Sequence, residues 1–144
     1  QAVGKYMVQA GNGSIVQTAS IYSLIGPDQS IYEGSKYLGK EINTPAVYTT
    51  SKAGVIGLTK HLATLWGKHN VRVNAICPGV VDSETTVDLT DRAGRYFKYL
   101  LERVPMARFG RLEELDAAVV FLASCGASYL TGAVLTVDGG WSTL

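Results

Sequence analysis

Cysteine is scarce in this sequence: Cys77 and Cys125 stand alone, with no Cys-x-x-Cys spacing. That excludes a disulfide framework and a thiolate metal site, and both read as reduced core residues of a cytoplasmic protein. Histidine is equally sparse. His61 and His69 sit on or just after a long helical stretch with no carboxylate partner pattern, so they read as solvated or structural. Charged residues make up only 17%, and 13 basic against 12 acidic residues leave a net charge of +1. The basic residues are scattered, which argues against a nucleic-acid partner. No apolar run approaches the ~20 residues needed to cross a bilayer, and no signal-peptide pattern opens the chain. The acidic pairs Glu113-Glu114 and Asp88/Asp91 have no metal-ligand context and read as helix-start or surface charges.

What is present is apolar surface. Hydrophobic residues make up 47% of 144 residues, enough for one globular domain over 1–144. Residues 1–10 carry apolar positions on a 3.6 period and stop at Gly11-Asn12-Gly13, so they read as a helix met part-way along. Ser14 to Ala19 is short, apolar and β-branched, a buried strand. Residues 21–47 hold Gly26-Pro27-Asp28, Gly34, Gly39 and Asn43-Thr44-Pro45 and are predicted as a long loop. A loop of that length inside a compact domain is usually functional. Its aromatics Tyr22, Tyr32 and Tyr37 either line a pocket or pack the loop onto the body. Residues 46–68 are the strongest predicted helix. Gly54 and Gly57 within it suggest close packing against another helix or a cofactor. Val71 to Cys77 is a second buried strand, ending at Pro78-Gly79. Helical character returns over Asp91 to Val104 and Leu112 to Ala123, and a last strand, Ala133 to Val137, closes at Asp138-Gly139-Gly140. Strand, helix, strand, helix, strand is the order of an α/β domain with a parallel sheet. Trp66 and Trp141 read as packing residues.

Two Tyr-x-x-x-Lys pairs carry possible chemistry. On a helix, positions four apart share a face, and a nearby ammonium favours a phenolate. Such a tyrosine can exchange a proton with a carbonyl or alcohol oxygen, yet a surface pair has the same spacing. Tyr32 is followed by Gly34 and Gly39, with Pro45 beyond, so a helix aligning it with Lys36 is poorly supported. Tyr48 and Lys52 open the long helix. Ser20 stands at the C-terminal end of the first strand, where ligands bind in open α/β sheets, although a turn serine is found there too.

Three segments in order, Tyr48-Thr-Thr-Ser-Lys52-Ala-Gly-Val-Ile-Gly-Leu-Thr-Lys60, Val71-Arg-Val-Asn-Ala-Ile-Cys-Pro78-Gly79 and Leu130-Thr-Gly-Ala-Val-Leu-Thr-Val-Asp138-Gly-Gly140, resemble the short-chain dehydrogenase/reductase family in its single-domain form. The resemblance covers essentially the whole chain. Pro78 lies 30 residues past Tyr48, as the family's helix-then-strand unit requires, and this selects Tyr48 over Tyr32. The implied fold is the C-terminal half of a Rossmann-type, doubly wound parallel sheet, with about three strands and flanking helices.

The resemblance implies an NAD(P)-dependent oxidoreductase interconverting a secondary alcohol and a ketone. Tyr48 would be the general acid/base. Lys52 would hold the nicotinamide ribose hydroxyls, and Ser20 would hydrogen-bond the reacting oxygen. Pro78, Gly79 and Val81 match the turn beside the nicotinamide. Ser83 falls where the family often has a threonine near the carboxamide. The resemblance further implies a homodimer or homotetramer, a small-molecule substrate and no membrane partner. The stretch from Ser20 to Gly34 looks similar to a subgroup that modifies sugars and surface polysaccharides.

Three departures qualify this. The spacing from Ser20 to Tyr48 is longer than the family's usual dozen or so residues. The Gly-x-Gly-x-x-Gly fingerprint is absent, and Gly11-Asn12-Gly13 neither follows a strand nor precedes a helix. The family's catalytic asparagine has no position here. The expectation is therefore the C-terminal half of a larger domain, with roughly 100 residues missing, the size of one nucleotide-binding half. An open apolar edge on the first strand follows from that. The cofactor is NAD or NADP, since the discriminating residue would lie upstream. The competing reading is a catalytically incompetent fragment, or a non-catalytic oligomerising member of the same family. A nucleotide-sugar epimerase or dehydratase of the extended branch is disfavoured, because those continue into a sizeable substrate domain.

Overall fold

The structure, a computed structural model, describes residues 2–34, 36, 37, 39–83 and 95–144. Helix α1 (Ala2–Ala10) ends at Gly11, whose φ of +66° turns the chain into strand β1 (Gly13–Thr18). Next come 3-10 turns at Ile21–Ser23 and Gln29–Tyr32 and a short antiparallel ribbon, β2 (Lys36–Tyr37) with β3 (Lys40–Glu41). Helix α2 (Ala46–Trp66) runs through a 3-10 turn, Gly67–His69, to Asn70 in the left-handed region and into β4 (Val71–Pro78). The remaining elements are β5 (Val81–Asp82), α3 (Arg95–Glu102), β6 (Gly110–Arg111), α4 (Leu112–Ala123) and β7 (Val134–Val137).

The main sheet is parallel in the order β1-β4-β7. Strand β4 is central because it is apolar on both faces: Val71, Val73, Ala75, Ile76 and Cys77 are all buried. Each buried valine there is worth about 1.5–3 kcal/mol over leaving it exposed. Its one buried amide, Asn74, is satisfied: it donates to the Leu130 carbonyl at 2.9 Å and accepts the Ala133 N–H at 3.0 Å. Arg72 caps the far end of α4, donating to the carbonyls of Leu122 at 2.8 Å and Ser124 at 3.1 Å. A cation on the last carbonyls also suits the negative end of the helix. Strand β1 pairs only with β4 among the described residues, so it lies at the sheet edge.

Several expectations need correcting. Residues 21–47 are not plain loop: two 3-10 turns and a two-stranded ribbon occupy them. Tyr22 and Tyr32 pack against a core cluster of Ile21, Ile31, Leu100, Val104 and Trp141, while Tyr32 also lines a cavity of about 630 Å³ with Gln29, Asn43 and Thr44. The Tyr37 side chain lies outside the described part. Gly54 and Gly57 meet no neighbour among the described residues, which leaves both positions open to a helix or cofactor from outside them. Cys77 is buried, but Cys125 is exposed, because it opens a 3-10 turn after α4 rather than facing the sheet. Helix α3 starts at Arg95 among the described residues, and the pair Asp88/Asp91 lies outside them. Both tryptophans do pack: Trp141 is in the core, and the Trp66 indole lies where a side chain on Gly4 would go.

Glu114 shows what one helix-start acid does. It accepts the Arg111 backbone N–H at 2.8 Å and takes both Arg108 guanidinium nitrogens at 2.7 Å. The Arg108 hydrogen bonds, then the Arg111 N–H, hold its pKa down to about 2, from 4.5. A depressed carboxylate stabilises the fold above its unfolded pKa and loses that contribution as pH falls through its folded one. The stability gap between wild type and Glu114→Gln should therefore be full above pH 4.5 and close on acidifying toward 2. Urea midpoints across that window check this, and a gap independent of pH would contradict it.

Candidate active site

The site forms at the C-terminal edge of the sheet. Parallel pairing in the register Thr18↔Ile76 sets the end of β1 level with the end of β4. The Ala19 N–H continues the ladder to the Ile76 carbonyl at 2.9 Å. Ser20 at the end of β1 and Pro78-Gly79 at the end of β4 therefore lie on one edge, the ligand-binding edge of open α/β sheets.

Ser20 is buried and caps the Ile21–Ser23 turn. Ile21 beside it inserts into the core cluster, which anchors the turn. Cys77 lies next to this turn. Burial pushes its thiol above the ordinary range, against the opposing pull of the Ser20 N–H and the Ser23 hydroxyl. A neutral, buried thiol of this kind is a packing group and not a nucleophile.

Helix α2 brings the other pair. Its first turn begins after Pro45, and the Tyr48 N–H bonds the Pro45 carbonyl at 2.9 Å. Tyr48 is 39% exposed, at the surface of the first turn. Lys52 lies one turn on, its Nζ 5.9 Å from the Tyr48 ring centroid. The same Nζ donates to the Thr18 carbonyl at 3.0 Å. Two turns further, the buried Thr59 hydroxyl donates to Gln17 Oε1 at 2.6 Å. These two bonds clamp α2 along β1 and hold the Tyr48–Lys52 turn over the strand end that carries Ser20. Tyr32 and Lys36 share no helix: one ends a 3-10 turn and the other starts β2.

Gly79 has a steric reason to be glycine. A Cβ there would sit 2.7 Å from Asp138 Cα, and its N–H bonds the Val137 carbonyl at 3.0 Å. The Asp138 turn is itself fixed. Its carboxylate accepts the N–H groups of Gly140 at 3.0 Å and Ser142 at 2.8 Å. Burial opposes ionisation, but these hydrogen bonds prevail and hold the carboxyl below its usual range. Val81 pairs with Gly110 across β5 and β6 and lines a small cavity of about 110 Å³ with Asp138 and Gly139. Ser83 follows β5 and is half-buried. The structure thus gathers Ser20, Tyr48, Lys52, Pro78 and Gly79 on one edge, with Val81 and Ser83 beyond it.

Sequence reasoning missed the Thr18 carbonyl, which no side chain announces. It also missed Ser23, although Ser20-x-x-Ser23 has the spacing of a helix cap.

Residues 1–142 match the protein family described as Enoyl-(Acyl carrier protein) reductase. The chain is also 38% identical over 141 residues to the 3-oxoacyl-(acyl-carrier-protein) reductase of Thermotoga maritima, covering 97% of this chain and 50% of that protein. The chain belongs to the short-chain dehydrogenase/reductase family. Another member, the 2-dehydro-3-deoxy-D-gluconate 5-dehydrogenase of Escherichia coli, is 37% identical over 142 residues, covering 98% of this chain and 50% of that one. Among solved structures, a gluconate 5-dehydrogenase from Burkholderia cenocepacia in complex with NADP and tartrate superposes with a TM-score of 0.84 at 30% identity. It covers 100% of this chain and 50% of that chain. The chain spans about half the length of the curated relatives it matches. The fold is the family's Rossmann-like α/β arrangement, a parallel sheet with flanking helices. Among the described residues no helix is long and apolar enough to cross a membrane, and no group of His, Cys, Asp and Glu could hold a metal ion.

Proposed function

We propose that this segment supplies the proton-transfer half of an NAD(P)-dependent oxidoreductase that interconverts a secondary alcohol and a ketone. The observation that carries this is the Lys52–Thr18 bond at 3.0 Å, which seats the Tyr48 turn over the Ser20 strand end. The residues present fit the nicotinamide-ribose end of the cofactor. The Lys52 ammonium has three donors, and Thr18 takes one, leaving two for a pair of ribose hydroxyls. The Pro78-Gly79 turn, held against Asp138, would border the ring. When bound, the cofactor supplies or accepts the hydride.

The chain's own residues manage the oxygen. In the reducing direction the substrate oxygen gains negative charge. The Ser20 hydroxyl stabilises it by donating a hydrogen bond, and Tyr48 gives it a proton. In the oxidising direction Tyr48 takes the alcohol proton. Val81 and Ser83 follow the Pro78-Gly79 turn and would help hold the nicotinamide end of the cofactor. NADP in the Burkholderia cenocepacia enzyme supports a nicotinamide cofactor, and both NADP and NAD+ occur with solved relatives. Relatives acting on gluconate derivatives favour a sugar or sugar-derived substrate.

A homodimer or homotetramer in the cytoplasm suits this reading. Val3, Tyr6, Val47, Leu58 and Leu65 leave apolar surface exposed on α1 and α2, beside the open Gly54 and Gly57. The test is turnover by the protein that carries this segment. Secondary alcohols of sugars and sugar acids, offered with NAD+ or NADP+, should generate nicotinamide fluorescence. Binding of either cofactor with no turnover of any such alcohol or ketone would favour the non-catalytic reading instead.

A further inference from the structure

The Ser20 hydroxyl oxygen accepts the Tyr22 backbone N–H at 3.2 Å. A serine hydroxyl has two lone pairs and one proton. With a lone pair engaged by a fixed main-chain donor, the proton is left to be given away. What keeps that donor fixed is Ser23. Its hydroxyl donates to the Ser20 carbonyl at 2.6 Å and accepts the Ser20 N–H at 3.1 Å. The Ser23 N–H reaches the same Ser20 carbonyl at 2.9 Å. Both main-chain polar groups of Ser20 are therefore clasped by one residue. Ser20 is buried, so solvent is a poor substitute for a lost partner.

We propose that Ser23 is a positioning residue for the reaction: it clasps the Ser20 main chain, so that the Tyr22 N–H orders the Ser20 hydroxyl as a hydrogen-bond donor to the reacting oxygen. This rests on the roles given to Ser20 and Tyr48 above. Ser23 acts through Ser20 and not by touching substrate. Losing a well-placed donor to a developing oxyanion costs about 10²–10³-fold in kcat, and misaiming it should forfeit part of that, about tenfold.

A double-mutant cycle in the protein that carries this segment tests it. Ser23→Ala should lower kcat about tenfold and leave cofactor KM unchanged, because Lys52 is untouched. In a Ser20→Ala background, Ser23→Ala should cost nothing further, since residues acting as one unit are non-additive. Ser23→Thr keeps the hydroxyl and should restore most of the rate. Ser23→Cys keeps the size and weakens both hydrogen bonds, so it takes the place of Ser23→Ala if that variant fails to fold. An unchanged kcat in Ser23→Ala, or an equal loss with and without Ser20, would overturn the assignment. If Ser20→Ala itself leaves kcat intact, the role of Ser20 falls and that of Ser23 with it. If Ser20→Ala is crippled and Ser23→Ala is not, only the inference about Ser23 falls.

Discussion

Tyr48→Phe, made in the protein that carries this segment, is expected to lower kcat by about 10²–10⁴-fold while cofactor affinity holds, the range that general acid–base catalysis contributes. The substitution is narrow. Phenylalanine keeps the ring that lies 5.9 Å from the Lys52 ammonium and removes only the hydroxyl. Tyr48 is 39% exposed and lies outside the core, so no core is emptied. Lys52 keeps its bond to the Thr18 carbonyl, and with it the position proposed to meet a ribose. What disappears is the proton that the substrate oxygen must gain or lose. Steady-state rates beside a cofactor titration separate the two effects. An unchanged kcat would remove Tyr48 from the mechanism. A lost cofactor affinity with the rate per bound cofactor preserved would make it a binding residue.

Gly79→Ala should destabilise the protein by about 1–3 kcal/mol, the usual cost of forcing atoms into a packed position. Two effects oppose each other. Replacing glycine with alanine restricts the unfolded chain and stabilises by about 0.4–1 kcal/mol where the site can accept a methyl. Here it cannot. The new Cβ would stand 2.7 Å from Asp138 Cα and 2.8 Å from Asp138 Cβ. Asp138 cannot yield easily, because its carboxylate is tied to Gly140 and Ser142. The steric cost is the larger, so the β4 end and the Asp138 turn must separate. The Gly79 N–H bond to Val137 should weaken, and the turn proposed to meet the nicotinamide should move with it. Chemical denaturation and a cofactor titration should both register the change. A Gly79→Ala protein as stable as wild type would show that the turn has slack the structure does not show.

The elements most legible beforehand were those set by local pattern. Helix α4 begins and ends where its apolar period and flanking residues place it, from Leu112 to Ala123. Strand β4 extends only to Pro78, one residue past the predicted Cys77, because a continuous apolar run has few other places to go. Strand β1 shifted by one residue, since Gly13 already pairs with Val71. The 21–47 stretch was read poorly for a physical reason. Its 3-10 turns and two-residue strands are too short for any period to show, and they are held by contacts distant in sequence. The Tyr99 hydroxyl donates to Asp28 at 2.5 Å, and Tyr32 shares a 2.6 Å hydrogen bond with Thr44. Cys125 was misread because apolar neighbours say nothing about which way a turn faces.

Composition and motif order were enough for the α/β class and the family, and for placing Tyr48 and Lys52, unlike Tyr32 and Lys36, on one helix. Those facts are written along the chain, in helix period and in the spacing to Pro78. Folding settled what depends on main-chain atoms and on residues far apart. It placed the Thr18 carbonyl under Lys52, closed Ser23 around Ser20, and brought Asp138 against Gly79. A carbonyl is the same at every position of the sequence. Only the three-dimensional register of β1, β4, β7 and α2 makes one of them part of a site.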